Sequence, residues 1–354
     1  MRTPPAERGF VLLLVLAMLV VLSLLAGTVA EVTDRLRGQA LVRQRQMQDE
    51  LDMASTRASV LYLLSTQPMT YAGLTVDARM AQARQAIEGA GGLFEFDAQP
   101  LGNEIAMDAR PYRGLGGVNF ALQDDRGLFA VNLQPQWALE RLLAQAPAPP
   151  PVPASVLMNR LMDYQDKDDL YRLDSLERDG YKRLGLPPPT NQPLATPMEV
   201  RQIPGWADAL SFLGPTGLVR SVTSGYSGVI NINTAPIPVL LTLRGFDRTL
   251  AERVVAQRNV QPFLTAHAFS EFVGLAPDPE GGASLYHADS GTLELWPSQG
   301  GQARLMHWTL TPWDEGGRPW REDYELIQPQ DRAADGPVLP IASGVLAKPV
   351  VAAQ

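Results

Sequence analysis

The sequence predicts an α+β fold that combines a long N-terminal transmembrane helix, an antiparallel-sheet core and a large inserted all-helical domain. Three observations predict it. Residues 10–30 carry no charge, strand-like segments lie on both sides of the middle of the chain, and the middle itself has helical periodicity. The 354 residues suffice for two or three domains, and contents of 45% hydrophobic and 19% charged residues are typical of a folded chain.

The uncharged run at residues 10–30 is long enough to cross a membrane. A helix rises 1.5 Å per residue, so the run spans about 30 Å, the thickness of a hydrocarbon core. Arg2 and Arg8 outweigh Glu7 ahead of it, which predicts a cytoplasmic N-terminus and an outward-facing body. A secretory signal peptide cleaved after Ala30 and a plain signal anchor are the alternatives.

The residues that follow the apolar run favour a helix that stays attached. Between Glu31 and Leu64 no proline occurs and Gly38 is the one glycine, while apolar residues recur at roughly helical spacing. This spacing predicts one helix over residues 10–66, apolar in its first half and amphipathic in its second. Pro68 is expected to end it.

The start of the chain resembles the N-terminus of type IV pilins and pseudopilins. Residues 1–9 are similar to a prepilin leader, and Arg8-Gly9-Phe10 is similar to the site that prepilin peptidase cuts. The resemblance implies cleavage between Gly9 and Phe10 on the cytoplasmic side, followed by N-methylation of Phe10. The membrane helix would then be retained.

Leu14 departs from the pilin pattern. Pilins usually carry glutamate at the fifth position after the cleavage point, and its carboxylate neutralises the amino terminus of the neighbouring subunit. Because an unpaired charge in lipid is costly, the pairing sets the register of subunits in the fibre. A subunit with Leu14 therefore suits the fibre tip, where this pairing is not needed. Sequence drift without consequence is the alternative.

Beyond the first helix, strand signals flank a helical block. A short helix is predicted at residues 76–88, and the Asp124-Asp125-Arg126-Gly127 sequence predicts a hairpin turn. Strands are predicted at residues 91–96, 118–122, 128–132, 291–296, 303–311 and 320–327. The division predicted from these signals is a pseudopilin-like α/β core at 67–134 and 286–330, an inserted helical domain at 135–285 and a C-terminal tail at 331–354.

Two segments of the helical block share a pattern that resembles helix-hairpin-helix repeats. The shared positions are Pro197, Gly205 and Trp206 in the first copy, and Pro236, Gly245 and Phe246 in the second. Many such hairpins bind DNA through a Gly-hydrophobic-Gly turn, but Asp247 stands in place of the second glycine and would repel phosphate. Together with the formal net charge of −8, this favours hairpins used for packing and no nucleic-acid partner. A DNA-binding or DNA-uptake protein, or another type IV pilus-associated membrane protein, is the alternative function.

The segment VININTAPIPVL, residues 229–240, resembles the hallmark of the general secretion pathway protein K family, the large minor pseudopilins of type II secretion. The motif residues carried over are Asn231, Asn233, Thr234, Pro236 and the following Gly245. The leader and anchor, the DDRGLFAVNLQ segment and the acidic LMDYQDKDD segment are also similar to this family.

This resemblance implies a subunit at the tip of the periplasmic pseudopilus that starts or caps its assembly and aids export of folded proteins across the outer membrane. The implied partners are minor pseudopilins I and J, other pseudopilins, the inner-membrane assembly platform and prepilin peptidase. The implied location is the bacterial inner membrane, crossed once, with the C-terminal body in the periplasm.

An acidic cluster in the helical block predicts a Ca²⁺ site. Its candidate ligands are Asp163, Asp166, Asp168, Asp169, Glu177 and Asp179. Ca²⁺ takes six to eight oxygen ligands, and members of the resembled family bind calcium in this domain. Alternatively, Lys167 and Arg172 pair with these acids on a solvated surface.

The residues do not predict an enzyme. No cysteine occurs, which excludes disulfides, zinc thiolate sites and cysteine nucleophiles. The histidines His267, His287 and His307 are scattered and none has a metal-binding spacing. An adaptor role is therefore predicted; a calcium-dependent surface hydrolase is a further alternative.

Overall fold

The structure is a computed structural model that describes residues 8–77, 98–225, 228–275, 282–314, 317–329, 337–341 and 343–346. The chain divides into two compact units, Met1–Leu51 and Asp52–Gln354. The predicted strand at 91–96 lies outside the described residues, and so does nearly all of the predicted helix at 76–88.

The described residues form nine α-helices. They are α1 (Arg8–Thr66), α2 (Gln136–Leu143), α3 (Ala154–Gln165), α4 (Arg178–Arg183), α5 (Trp206–Ala209), α6 (Gly214–Val219), α7 (Ile237–Leu240), α8 (Arg248–Val260) and α9 (Ala266–Val273). Most of them lie between residues 136 and 273, as the periodicity of that stretch predicted.

Twelve strands complete the fold of the described residues. They are β1 (Met69–Thr70), β2 (Gly73–Thr75), β3 (Glu104–Ile105), β4 (Tyr112–Arg113), β5 (Val118–Asp124), β6 (Phe129–Ala130), β7 (Val222–Thr223), β8 (Ile230–Asn231), β9 (Ala283–Ser284), β10 (Ser290–Pro297), β11 (Gln302–Leu310) and β12 (Trp320–Pro329). The main sheet is antiparallel, in the order β12-β11-β10-β5-β4, and β1-β2-β3 form a smaller one. The predicted α+β fold is thereby confirmed.

The predicted N-terminal helix is present as α1, an uninterrupted helix of 59 residues. Residues 11–30 of α1 are apolar and exposed, and α1 is long and apolar enough to cross a membrane. The helix ends at Thr66, two residues before Pro68, whose ring is incompatible with a helix interior. The structure is therefore compatible with a single membrane anchor.

One face of the main sheet packs against the last turns of α1. Val60 and Leu63 of the helix belong to the same buried cluster as alternate residues of the strands. In the strand register, Leu293 of β10 lies between Leu122 of β5 and Met306 of β11. Because side chains alternate along a strand, these apolar side chains share one face of the sheet, and the helix packs on them.

A second hydrophobic core lies in the chain between β6 and β9. Tyr164, Tyr181 and Trp206 are fully buried there, and the indole Nε1 of Trp206 donates a hydrogen bond of 2.9 Å to the carbonyl of Leu157. Helices and 3₁₀ turns supply most of this core, together with the two-residue strands β6, β7 and β8. The boundaries of the inserted domain, 135–285, stay a prediction.

The helix-hairpin-helix repeats are not confirmed. Gly205 and Gly245 share positive φ angles of 91° and 80°, and the aromatic residues that follow them, Trp206 and Phe246, are both buried. The first copy, however, consists of a 3₁₀ turn, Pro197–Gln202, and the single-turn α5, whereas the second leads into the 13-residue α8. The likeness of the two copies is limited to the glycine turn and its buried aromatic side chain.

The predicted hairpin after β5 is wrong. Asp125–Gly127 form a 3₁₀ turn, and β6 pairs in parallel with β7 instead of returning along β5. The carboxylate of Asp124 accepts a hydrogen bond from the amide of Arg126 and caps this turn. The chain is thus directed out of the sheet and into the second core.

Part of the predicted C-terminal tail, residues 331–354, packs on the main sheet. Leu339 forms an isolated parallel bridge with Tyr112, and its carbonyl accepts a hydrogen bond of 2.9 Å from the amide of Arg113. Leu346 is buried in the cluster that α1 covers. These residues extend the core beyond β12.

Candidate functional site

The carboxylate of Asp124, at the end of β5, is fully buried at the centre of a polar network. Its Oδ2 accepts hydrogen bonds from Asn231 Nδ2 at 2.8 Å and from Thr234 Oγ1 at 2.9 Å. Its Oδ1 accepts from the amides of Ala288 at 2.8 Å and Arg126 at 3.1 Å. Burial raises the pKa of Asp124 above its ordinary value, although these hydrogen bonds oppose the shift. We call these five residues the Asp124 network.

Other residues of the Asn231–Pro236 motif are also buried, and they form hydrogen bonds that involve the backbone. Asn233 Nδ2 donates to the carbonyl of Phe263 at 3.0 Å, and its Oδ1 accepts from the amide of Phe263 at 2.9 Å. Arg258 of α8 donates from Nη1 to the carbonyls of Ile232 at 2.9 Å and Ala235 at 2.6 Å. Because each of these bonds joins distant segments, the motif residues act as structural connectors between α8 and the strands.

Pro236 and Gly245 lie on either side of α7. Pro236 precedes its first residue in an extended conformation. Gly245 has a φ of 80°, and a Cβ atom there would come within 2.9 Å of the Leu275 side chain. Asp247 then accepts a hydrogen bond of 2.7 Å from the amide of Leu250 and caps α8. A phosphate approaching this helix end would meet that carboxylate, which favours packing over DNA contact.

His307 of β11 lies between two carboxylates. Its Nε2 is 2.8 Å from Asp125 Oδ2, and its Nδ1 is 2.8 Å from Asp323 Oδ2. A neutral imidazole donates from only one nitrogen, so bonds to two ionised carboxylates require the doubly protonated ring. We call these three residues the His307 bridge.

A β-bulge places Asp323 in this bridge. His307 lies opposite Tyr324 and Trp308 lies opposite Glu322, so Asp323 is an extra residue of β12 without a partner in the register. The ring of Tyr324 stacks on the imidazole, with ring centres 5.0 Å apart. The bulge therefore turns one carboxylate of an edge strand toward the histidine.

Charge complementarity dominates the electrostatics of the bridge. Burial would lower the pKa of His307, but its hydrogen bonds to Asp125 and Asp323 raise that pKa to about 9. Burial would raise the pKa of Asp323, but bonds from His307, Thr309 and Arg321 hold it well below its ordinary value. The three bridge residues line a cavity of about 340 Å³.

The bridge connects the main sheet to the second core. Asp125 also accepts hydrogen bonds from Ser290 Oγ of β10 at 2.6 Å and Thr223 Oγ1 of β7 at 3.2 Å. A further link is the ion pair of Arg220, which follows α6, with the buried Glu294 of β10 at 3.0 Å. Polar side chains thus fix the position of the helical segment on the sheet.

Two of the six predicted calcium ligands, Asp163 and Asp166, converge on Arg172. The guanidinium Nη1 of Arg172 bonds to Asp163 Oδ1 and lies 2.5 Å from Asp166 Oδ2, and the Arg172 amide donates to Asp163 Oδ2 at 2.9 Å. Asp163 is fully buried at the end of α3. The pairing of Arg172 with these acids agrees with the alternative to a calcium site.

Glu177 lies beside this pair as a buried carboxylate. It is 1% exposed, and neither of its carboxylate oxygens meets a hydrogen-bond donor within the described parts of the chain. Burial, together with the charges of Asp163, Asp166, Asp169 and Asp168, raises the pKa of Glu177 to about 7. A buried carboxylate without a partner is costly unless it is protonated or compensated by a cation.

The other acidic candidates are solvent-exposed. Asp168 accepts a hydrogen bond of 2.8 Å from the amide of Leu170, while Asp169 and Asp179 lie on the surface. Among the described residues, no three Asp, Glu or His side chains are arranged to hold a metal. Arg172 stands where a metal would have to bind the two converging carboxylates.

The predicted processing residues, Gly9 and Phe10, lie in the first turn of α1, and Leu14 lies one turn further along, exposed on the helix. The roles of these three residues in processing and in the tip position stay predictions.

Part of this chain matches a known protein family, and the chain is similar to a solved structure. Residues 230–285 match the family model of protein K of the type II secretion system (T2SS). Among solved structures, the chain is similar to a chain of the GspK-GspI-GspJ complex from the type 2 secretion system of enterotoxigenic Escherichia coli. That likeness has 15% identity and a TM-score of 0.46, and it covers 83% of this chain and 99% of the other. The comparison with curated proteins gives no match.

The last turns of the apolar N-terminal helix pack on an antiparallel sheet, which is compatible with the predicted pseudopilin-like core. The family model covers the Asn231–Pro236 motif and α7 to α9, which include Asn231 and Thr234 of the Asp124 network. The match of residues 230–285 supports the resemblance of this chain to protein K of type II secretion. The resemblance predicted from the motifs is confirmed.

The sequence did not reveal which residues hydrogen-bond to the motif residues or form the neighbouring bridge. Asp124 and Asp125 were part of a predicted turn, and His307 was one of three scattered histidines. Their association depends on tertiary pairing of β5, β10 and β11, for which the sequence carries no local signal. Two adjacent acidic residues at the end of an apolar strand are the one local feature that could have drawn attention to them.

Proposed function

We propose that this chain is a minor pseudopilin at the tip of a type II secretion pseudopilus, where it starts or caps assembly and aids the export of folded proteins across the outer membrane. The observation that carries the proposal is the match to protein K at residues 230–285, on the same chain as an apolar N-terminal helix. The buried networks around the motif connect structural elements, which supports a structural role.

The tip position is supported by the N-terminus and by the inserted segment. Leu14 cannot neutralise the amino terminus of a neighbouring subunit, so the subunit suits a place where that pairing is absent. A large insertion would also obstruct stacking of further subunits on both sides. On the family resemblance, the neighbours are minor pseudopilins I and J and other pseudopilins, with α1 in the inner membrane and the body in the periplasm.

The first test concerns the processed N-terminus. Prepilin peptidase is expected to cut between Gly9 and Phe10, so intact mass and N-terminal peptide analysis of membrane-extracted protein should find a chain that begins with N-methylated Phe10. Gly9→Val is expected to leave the full precursor, because a branched side chain replaces the small residue before the cut.

Thr3→Val serves as the matched control, since it places the same side chain inside the leader away from the cut. A mature chain that begins near Glu31 and is free of the membrane would contradict the proposal, because α1 would then be a discarded signal peptide.

A Ca²⁺ ion in the acidic cluster is the second part of the proposal. Hard carboxylate oxygens from Asp163, Asp166 and Glu177 suit Ca²⁺, and the buried, unpartnered Glu177 supports a missing cation. Asp168 and Asp169 lie close enough for their charges to act on Glu177 and would add oxygens from the loop. The ion would compensate the buried charge and hold the loop after α3.

Removal of two candidate ligands should abolish calcium-dependent stabilisation. For the wild-type protein, Ca²⁺ at about 100 times its dissociation constant adds roughly 2.7 kcal/mol, or about 5–10 °C in melting temperature. The variant Asp166→Ala with Asp168→Ala is expected to melt at the same temperature in Ca²⁺ and in EGTA, as measured by differential scanning fluorimetry.

Asp208→Ala is the control, because it removes an exposed carboxylate of α5 outside the cluster. It should keep the full calcium-dependent rise in melting temperature. A rise of equal size in the double variant would show that calcium acts elsewhere on the chain.

A further inference from the structure

Arg172 holds the two converging carboxylates of the acidic cluster. Its Nη1 lies within bonding distance of Asp163 and Asp166 at once, and its amide donates to Asp163. One guanidinium therefore supplies the positive charge to both carboxylates, while the nearby Glu177 has no partner among the described residues. A dication that bound Glu177 and these two acids would need the place of this guanidinium.

We propose that Arg172 and Ca²⁺ compete for Asp163 and Asp166, so that calcium binding displaces the guanidinium and rearranges the segment that carries it. This inference rests on the proposed calcium site and adds its regulation. Without calcium, Arg172 neutralises the buried Asp163 and keeps the cluster folded. With calcium, the ion takes over both carboxylates and supplies the partner that Glu177 lacks.

The exchange has a local structural consequence. Leu170, Tyr171 and Leu173 flank Arg172 and are 74%, 57% and 79% exposed, whereas the Arg172 side chain is 40% exposed and its guanidinium bonds to the buried Asp163. Displacement of its side chain removes the guanidinium bond to Asp163 and leaves the bond from the Arg172 amide to that carboxylate. Asn159 Nδ2 still holds the Leu173 carbonyl at 2.9 Å, so the change is confined to a few residues. Calcium would then control how three apolar side chains are presented at the surface.

The decisive measurement is the calcium affinity of the full chain in detergent micelles, determined by isothermal titration with CaCl₂. Arg172→Gln removes the competing cation and should bind Ca²⁺ at least about tenfold more tightly than the wild-type chain, because no charge-assisted bond must break first. Arg178→Gln is the matched control. It removes an exposed positive charge from the same neighbourhood, and its affinity should stay within about twofold of wild type.

A second readout follows the arginine itself. The Nε–Hε signal of Arg172 in a ¹H–¹⁵N spectrum, assigned through its loss in Arg172→Gln, should shift on calcium addition toward the position of a solvent-exposed arginine. If Arg172→Gln fails to fold in EGTA, Arg172→Lys takes its place. Lysine is a point charge that cannot match the two-carboxylate geometry. The Arg172→Lys chain should therefore bind calcium more tightly than the wild-type chain.

The outcomes separate the two proposals. Equal calcium affinity in the wild-type chain and the Arg172 variants, with an unmoved Arg172 signal, overturns the competition and leaves the calcium site standing. Absence of calcium binding in the wild-type chain and in every variant overturns the calcium site, and the competition with it. If Arg172→Gln and Arg178→Gln both bind calcium more tightly than the wild-type chain, the change in net charge explains the effect. This result also overturns the competition.

Discussion

Replacement of Asp124 by alanine is expected to lower the free energy of unfolding by about 3 kcal/mol. The carboxylate accepts four hydrogen bonds, and alanine would leave the buried Asn231 amide and Thr234 hydroxyl without their acceptor. The amide of Ala288 would also lose its partner. Each buried donor left unsatisfied costs roughly 1–3 kcal/mol, which outweighs the gain from no longer burying a carboxylate. Urea unfolding of the full chain in detergent micelles measures the change.

The control for this prediction is Asp289→Ala, which removes an exposed carboxylate next to Ala288 and should change stability by no more than about 0.5 kcal/mol. Asn231→Ala removes one donor from the same network and should cost about 1–2 kcal/mol, since Asp124 keeps its other three hydrogen bonds. A loss below about 1 kcal/mol in Asp124→Ala would contradict the view that this network fastens the motif to the sheet.

The broad fold could be predicted because its signals are local and strong. The length and apolarity of α1, and the alternation in β10 to β12, follow from periodicity within single segments. The path of the chain after β5 could not be predicted, because the turn there is decided by hydrogen bonds from Arg126, Asn231 and Thr234 to Asp124. Two of those three residues lie more than a hundred positions along the chain.

The candidate site shows the same division between local and distant information. The motif at Asn231 and Thr234 was recognisable as a sequence pattern, yet its physical role became evident only when β5 placed a buried carboxylate beside it. The acidic cluster was recognisable by composition, but the sequence did not decide between a metal and Arg172 as its cation. The bulge that aims Asp323 at His307 is a matter of strand register, which no single segment encodes.

Without the His307 bridge, the free energy of unfolding is expected to depend markedly less on pH in the alkaline range. The folded-state pKa of His307 is raised to about 9, from an ordinary value of about 6.5 in the unfolded chain. A raised pKa means that the bridge stabilises the fold fully below about pH 6.5 and loses this effect as the pH rises through about 9. The wild-type chain should therefore lose about 2–3 kcal/mol of stability between pH 7 and pH 10. His307→Gln should lack this part of the decline, as followed by urea unfolding at a series of pH values.

The difference between the pH profiles of wild type and His307→Gln gives the contribution of the bridge to stability. Tyrosine and lysine groups that titrate near pH 10 contribute equally to both proteins and cancel. His267→Gln is the control, since it removes an exposed histidine and should keep the wild-type pH profile. A second, independent measurement concerns the protonation of the ring. Both ring nitrogens of His307 should be protonated in ¹⁵N spectra at pH 7, because each lies 2.8 Å from a carboxylate oxygen. A neutral ring at pH 7, or parallel pH profiles for wild type and His307→Gln, would mean that Asp125 and Asp323 are held in place by Ser290, Thr223 and Arg321 without an imidazolium between them.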